Sequence, residues 1–327
     1  MDYSMGSTLA GFAFNAFHLL FLVDPIKQYR HKSDNPELGP NILSWWERVY
    51  WSWSVVHSTR GIGWNYQIKH VPLTHRKSRV EFSFFALKQI VLLFFLVDLA
   101  QTTVLTTPFL RNLPPDESIR SLEYHQQMVC VATWFLGIYA GVAWQYYLAA
   151  FLSVSTGYSL PEDWPPPFGD FVHGYSVRNF WGRIWHQTMR RFCVAFGKKL
   201  TQILRVPQKS VPAAFIQLHI AFLVSGVVHS FGDYMLGREH LGISIPFFMA
   251  QALVSRSRKR SSFLCAIINC PVVAARTLGY IWVAIWLLVS APLLIDPARS
   301  LGFVSDGEAM MIPNSPIATA IAFFYPP

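Results

Sequence analysis

Charged side chains are scarce in this chain. They make up 14% of its 327 residues, against about 25% in an ordinary soluble domain. They also gather between apolar runs that approach the ~20 residues needed to cross a bilayer. That distribution, with a mean hydropathy of +0.30, excludes a soluble enzyme and points to a polytopic membrane protein. Cysteine is scarce too. Cys130, Cys193, Cys265 and Cys270 show no CxxC or Cys/His ligand spacing, so no metal site is expected, and in apolar segments they act as small hydrophobes. No two aspartates lie close enough to hold magnesium against a prenyl diphosphate. A GxSxG elbow and a glycine-rich phosphate loop with a following lysine are both missing, which argues against serine-nucleophile catalysis and ATP-driven transport.

What is present is aromatic and locally basic. The net charge of +9 sits in blocks beside apolar segments, as in juxtamembrane loops, and no separate basic domain exists to bind nucleic acid. Aromatics reach 16%, with 12 tryptophans, which fits side chains gathered at headgroup level. Apolar runs predict spans at Thr8–Val23, Phe82–Leu105, within Gln127–Val154 and at Val211–Leu236. Shorter or later runs follow at Ile243–Val254, Ser262–Ala275, Thr277–Ile295 and Pro316–Tyr325. The expected architecture is all-α, with seven to nine membrane helices in one membrane-embedded domain (1–327). Trp45–Val56 reads as an interfacial helix, closed by a turn at Gly61 and Gly63. Asn15 and His18 are expected to face other helices rather than lipid. Placing 24–81 in the cytosol puts all three Lys/Arg-rich loops, including 155–210 and RSRKR (256–260), on that side.

Two stretches carry chemistry. RNFWGRIWHQTMRR (178–191) holds two tryptophans, a histidine, an asparagine and four arginines. Read as one helix, Phe180, Trp181, Ile184 and Trp185 form an apolar face, while Asn179, Arg183, His186 and Arg190 form a polar stripe. An amphipathic basic helix meeting anionic headgroups explains the charge and the tryptophans equally well. The second stretch, AFLVSGVVHSFGDYM (221–235), places His229 inside an apolar span, where ionisable groups are costly and mark function. Ser225, His229 and Asp233 recur at i, i+4 and i+8, so Asp233 is expected to bond one ring nitrogen and leave the other basic. A buried histidine bonded to a neighbouring helix is the plain alternative. His219, ten residues earlier, faces elsewhere and reads as structural.

FWGRIWHQ (180–187), preceded by WPPPFG (164–169) and followed by SGVVH (225–229), resembles the wax-synthase-like branch of the membrane-bound O-acyltransferases. RGIGWNYQIKHVP (60–72) and GYIWVAIWLLVSAP (279–292) are similar to its fungal members, which O-acetylate secondary metabolites. The resemblance runs from about Trp45 to Pro292. It implies a multi-helix fold around a reaction chamber in the endoplasmic reticulum membrane, with acyl-CoA (acetyl-CoA) entering from the cytosol as co-substrate and no tightly bound cofactor. It implies His229 as the catalytic residue, and Phe180, Trp181, Arg183 and Trp185 as part of the acyl-donor site. Many relatives carry asparagine after the second tryptophan as partner to that histidine, and this chain carries His186. After PFFMAQAL (246–253), where relatives tend to keep an acidic residue, this chain reads VSRSRKR.

The expected reaction is direct transfer to a hydroxyl of a hydrophobic, terpenoid-like alcohol. His229 takes the hydroxyl proton, His186 or Asn179 bonds the oxyanion, and Arg183 and Arg190 contact CoA phosphates. From the residues alone two other classes stay open. One is a membrane isoprenoid cyclase, whose carbocations an aromatic chamber would suit; the other is a transporter with His229 lining a path, although no internal symmetry supports it.

Overall fold

The computed structural model describes residues 2–35, 39–72, 78–255, 271–300, 312 and 315–324, and every extended element among them is helical. Five helices are long and apolar enough to cross a membrane. The first is α1, Asp2–Phe17, continued by a π-helical turn at His18–Leu22. An interfacial-type helix follows as α2, Trp45–His57, and then come α3, Arg79–Thr106, and α4, Tyr124–Ser155. After α5, Arg190–Ile203, the chain crosses again in α6, Val211–Leu236. The remaining elements are α7, Ile245–Ser255, α8, Val272–Ser290, α9, Pro292–Ser300, and α10, Pro316–Phe324. Among the described residues the count stands at five and the expected seven to nine is not reached; α7 and α10 have 11 and 9 residues, too few to span. Most of the run expected at Ser262–Ala275 lies outside the described residues, as do RSRKR (256–260), Cys265 and Cys270.

The chain divides into two compact units. The first takes in Leu73–Pro167 and Ile281–Pro327, and the second takes in Asp2–Pro72 and Phe168–Tyr280. In the first unit α3 packs along α4, and Leu110, Ile119, Cys130, Val131, Ala291 and Ile295 form a core. Asp98, buried in α3, accepts from the backbone N–H of Ile317 at 2.9 Å. A carboxylate at the first turn of α10 meets unbonded N–H groups and the positive end of the helix dipole, so Asp98 has a partner in its apolar span. Lys88, on the same helix, is exposed.

In the second unit α1, α5 and α7 all pack on α6. The α1–α6 crossing is close because glycines meet it. A Cβ on Gly6 would stand 2.3 Å from the Phe231 carbonyl, and one on Gly232 would stand 2.5 Å from Ser7 Oγ and 2.7 Å from the Tyr3 carbonyl. Removing side chains there lets two backbones approach, as small residues do between membrane helices. Ser44 and Glu47 form a capping box that starts α2. Its Trp51 and Val55 are buried, whereas Trp45, Trp46, Tyr50 and Trp53 are exposed, the division expected of an interfacial helix. The turn after it uses Gly61 at φ 66° and Gly63 at φ 77°, a backbone region that favours glycine.

Asn15 and His18 point inward, as expected. Asn15 Nδ2 donates to the Val56 carbonyl at 3.0 Å, its Oδ1 accepts from Arg191 Nη2 at 3.0 Å, and His18 Nε2 bonds the Tyr29 hydroxyl at 3.3 Å. Arg191 also lies over the Tyr66 ring at 4.6 Å, so aromatic faces and amide oxygens hold this buried cation. Cys193, on the adjoining turn of α5, is buried with Ala10, Phe192, Val224 and Val228, and burial pushes its thiol up to about 12. It packs as a small hydrophobe.

Candidate functional site

RNFWGRIWHQTMRR is not one helix. A single turn at Val177–Asn179 leads into a π-turn at Phe180–Ile184, closed by the Trp185 N–H bonding the Phe180 carbonyl at 2.8 Å. Trp185 is extended, with ψ at 147°, and α5 begins only at Arg190. The expected polar stripe is thereby broken between Arg183 and His186. Side chains satisfy the carbonyls that the break frees. Gln187 Nε2 donates to the Trp181 and Trp185 carbonyls at 3.1 and 2.7 Å, and Arg190 Nη1 donates to the Gly182 carbonyl at 2.6 Å and Gln187 Oε1 at 2.8 Å. Unpaired carbonyls cost free energy when buried, so these bonds explain why a helical sequence pattern tolerates an opening here.

The neighbouring motifs clamp this opened segment. Gly169, which ends WPPPFG, donates its N–H to the Ile184 carbonyl at 2.9 Å, and a Cβ there would stand 2.0 Å from the Arg183 carbonyl oxygen. Gly279 of GYIW plays the same part against the Tyr175 carbonyl, at 2.3 Å, and the Tyr280 hydroxyl donates to the Val172 carbonyl at 2.6 Å. Phe168 meets Trp185 edge-on at 5.4 Å, and Trp185 stacks on Phe180 at 5.6 Å.

From there a run of rings reaches His229. Trp181 contacts Trp185 at 5.7 Å and Phe247 at 6.0 Å, Phe247 contacts Phe248 at 5.3 Å, and Phe248 stacks on His229 at 4.6 Å and 14°. Trp181 Nε1 also donates to Gln251 Oε1 at 3.1 Å. Phe247, Phe248 and Gln251 lie in PFFMAQ on α7, and the two stretches singled out in the sequence are therefore joined through it.

Asp233 does not bond His229. Its Oδ2 accepts from the Ser244 backbone N–H at 3.0 Å and its Oδ1 from Ser244 Oγ at 2.6 Å, because the loop before α7 folds back over it. The atom facing His229 Nδ1 is the Tyr3 hydroxyl of α1, at 3.4 Å. Ser225, one turn before His229, forms no hydrogen bond among the described residues. Among the described residues His219 bonds within its own helix, to the Phe215 carbonyl at 2.9 Å. Tyr3, Ser244, Phe248 and Gln251 carried no local signal, and only the PFFMAQ likeness pointed towards two of them.

Asn179 is 2% exposed, and its Nδ2 has no partner among the described residues. It is a donor without an acceptor, facing inward. His186 bonds Thr188 Oγ1 through Nδ1 at 3.1 Å, and burial holds its imidazole down to about 4. It is neutral at physiological pH and can donate a hydrogen bond without carrying charge. Between pH 6.5 and about 4 the unfolded chain binds a proton at this residue that the folded chain does not. Stability from this group therefore falls as pH drops through that window and is flat above it. In His186→Gln the decrease in melting temperature from pH 7 to pH 5 is expected to be smaller than in the parent, as read by thermal unfolding in detergent.

Around the same segment lie Arg178, Arg183, Arg190, Lys69, His70 and His173. Loss of hydration, and then the charges of Arg183, Arg190, His173 and Lys69, lower the His70 imidazole. Burial, and then Arg178 and Arg183, lower the Arg190 guanidinium. Ion pairs occur at Lys27–Asp24 and His240–Glu239, and none of these six groups is paired with a carboxylate among the described residues. Such a cluster fits an anionic ligand.

A model of the membrane bound O-acyl transferase family matches residues 164–250, the stretch from WPPPFG through FWGRIW and SGVVH to PFFMA. Acetyltransferase eriL of Hericium erinaceus is 26% identical over 273 residues, covering 81% of this chain and 70% of the relative. Acetyltransferase ple2 of Rhodocybe pseudopiperita is 29% identical over 306 residues, covering 89% and 77%. Acetyltransferase spyB of Aspergillus fumigatus is 30% identical over 207 residues, covering 58% and 34%. No solved structure matches the chain.

Proposed function

We propose that the chain is a member of the membrane bound O-acyl transferase family, whose model matches residues 164–250, and that it transfers acetyl from acetyl-CoA to a hydroxyl of a hydrophobic, terpenoid-like alcohol. The named acetyltransferases among its relatives support the acetyl donor. The observation that carries the site is the ring path from Trp185 through Trp181, Phe247 and Phe248 to His229. It brings an in-membrane base and a basic, aromatic donor segment into one compact unit.

His229 takes the acceptor hydroxyl proton as general base. The oxygen then forms a bond to the thioester carbonyl carbon, the C–S bond breaks, and the proton passes to the departing CoA thiolate. Asn179, with its unpaired amide N–H groups, and the neutral His186 supply hydrogen bonds to the developing oxyanion. Phe180, Trp181 and Trp185 wall the acyl-donor site. Arg183 and the free edge of Arg190 meet the CoA phosphates, with Lys69, His70 and His173 beside them; Arg190 Nη1 is held by Gly182 and Gln187. Ser225 lines the same face of α6 as His229. The acceptor arrives from the bilayer, and the endoplasmic reticulum membrane, with the basic loops in the cytosol, is the proposed location.

The test is transfer of label from acetyl-CoA by the purified protein in nanodiscs, with a panel of terpenoid alcohols. The expected product gains the mass of one acetyl group and requires acyl-CoA. Product formed without acyl-CoA, and without that gain in mass, would overturn the reading.

A further inference from the structure

The carboxylate of Asp233 lies beyond direct reach of His229, yet the atoms between them form a continuous chain. The Tyr3 hydroxyl stands 3.4 Å from His229 Nδ1 and 3.4 Å from Ser244 Oγ, and Ser244 Oγ stands 2.6 Å from Asp233 Oδ1. Asp233 and Ser244 are 2% and 3% exposed, so water does not compete freely at that end.

Counting protons along the chain gives it a direction. An ionised carboxylate only accepts, and Asp233 accepts twice from Ser244, once from the backbone N–H and once from the hydroxyl. The single hydroxyl proton of Ser244 is therefore directed at Asp233, and Ser244 Oγ can only accept from Tyr3. The phenolic proton of Tyr3 then points to Ser244, and its oxygen, which also has the Ser7 side chain as a neighbour, accepts from the histidine. Nδ1 of His229 must carry the ring proton, which leaves the lone pair on Nε2.

We propose that Tyr3 and Ser244 are positioning residues that transmit the charge of Asp233 to His229 and hold it as the Nδ1–H tautomer with Nε2 basic. The proposal rests on the reading of His229 as the general base. The stack on Phe248, at 14°, fixes the plane of the ring, and the hydroxyl chain fixes which edge carries the proton. The Gly6 and Gly232 crossing is what brings Tyr3 of α1 within reach of α6. The expected site order therefore differs from a direct Asp–His pair: the acidic residue acts through two hydroxyls from two other segments.

The test is ¹⁵N NMR of the full chain, labelled at histidine and held in nanodiscs at neutral pH, with the His229 signals identified by their loss in His229→Gln. The parent is expected to show a protonated Nδ1 and an unprotonated Nε2. In Ser244→Ala the Tyr3 proton loses its Ser244 acceptor and can turn to Nδ1, so the share of Nε2–H tautomer is expected to rise, with kcat down about 10²-fold and KM for acetyl-CoA within about twofold. In Tyr3→Phe the lock is absent, and a mixture of tautomers with a similar loss of kcat is expected. An Nε2–H tautomer in the parent would overturn the proposal. So would Tyr3→Phe and Ser244→Ala proteins that are folded, by their unchanged NMR signals elsewhere, and keep the parent tautomer and kcat. A parent with the Nδ1–H tautomer but no transfer from any acyl-CoA would uphold the relay and remove the acyltransferase reading instead.

Discussion

Replacing His229 by glutamine is expected to lower kcat for acyl transfer by about 10²- to 10⁴-fold, the usual worth of a positioned general base. Glutamine keeps a polar group of similar reach but cannot accept and release a proton. The ring contacts around it argue that the fold survives: Phe248 is also packed against Phe247, and the loop over Asp233 is held by Ser244, independently of His229. KM for acetyl-CoA should change little, because the basic cluster proposed to meet its phosphates belongs to other residues. The measurement is steady-state transfer by parent and variant at equal folded concentration, checked by size-exclusion profile. A variant with parental kcat would remove His229 from the chemistry.

The second large effect is expected at Gly169, which has no side chain to offer a substrate. A methyl group there would stand 2.0 Å from the Arg183 carbonyl oxygen, 3.0 Å from its carbonyl carbon and 3.3 Å from Ile184 Cα. All three are backbone atoms, so no side chain can rotate away. Gly169→Ala must push the PPPFG turn off the π-turn and weaken the Gly169–Ile184 hydrogen bond. Overpacking of this kind costs about 1–3 kcal/mol, and a displacement of about 1 Å at the donor segment costs about 10²-fold in rate. The expected result is a lower melting temperature together with a fall of about 10²-fold in kcat/KM. Gly174→Ala is the matched control. Its nearest atom is Ile184 Cδ1 at 2.9 Å, the end of a side chain, and its nearest backbone atom, the Phe171 carbonyl oxygen, is at 3.1 Å, so a smaller loss is expected in the same two assays.

The long spans were legible because nothing but a membrane helix satisfies twenty apolar residues. α2 was legible because its tryptophans and charges together suit the membrane surface at short range, and the structure adds the Ser44–Glu47 capping box. The break at Trp185 was not. A helix and a π-turn followed by an extended residue place Phe180, Trp181 and Trp185 among apolar neighbours alike. The decision rests with Gln187, Arg190 and Gly169, which satisfy or approach the opened backbone. Asp233 misled for a related reason: i, i+4 spacing puts it on the side of His229, but Ser244, eleven residues further on, offers its oxygens two donors at once. Tyr3 could not be found from sequence, because nothing local marks an aromatic residue at the start of a span as the neighbour of a histidine 226 positions away.

That separation sets the order in which the site can be assembled during synthesis. Tyr3 and Ser244 are 241 positions apart, and at about 5–20 residues per second roughly 12 to 48 s pass between their additions to the chain. Throughout that interval α1 must remain in the bilayer without α6, with Asn15 also waiting for Arg191 and only the nearby Tyr29 and Val56 able to reach its polar side chains. The glycine crossing can close only after α6 has inserted. Maturation of this enzyme should therefore be governed by how long its first helix is retained beside the insertion machinery, and a variant harmless to the finished protein could still fail by releasing that helix early.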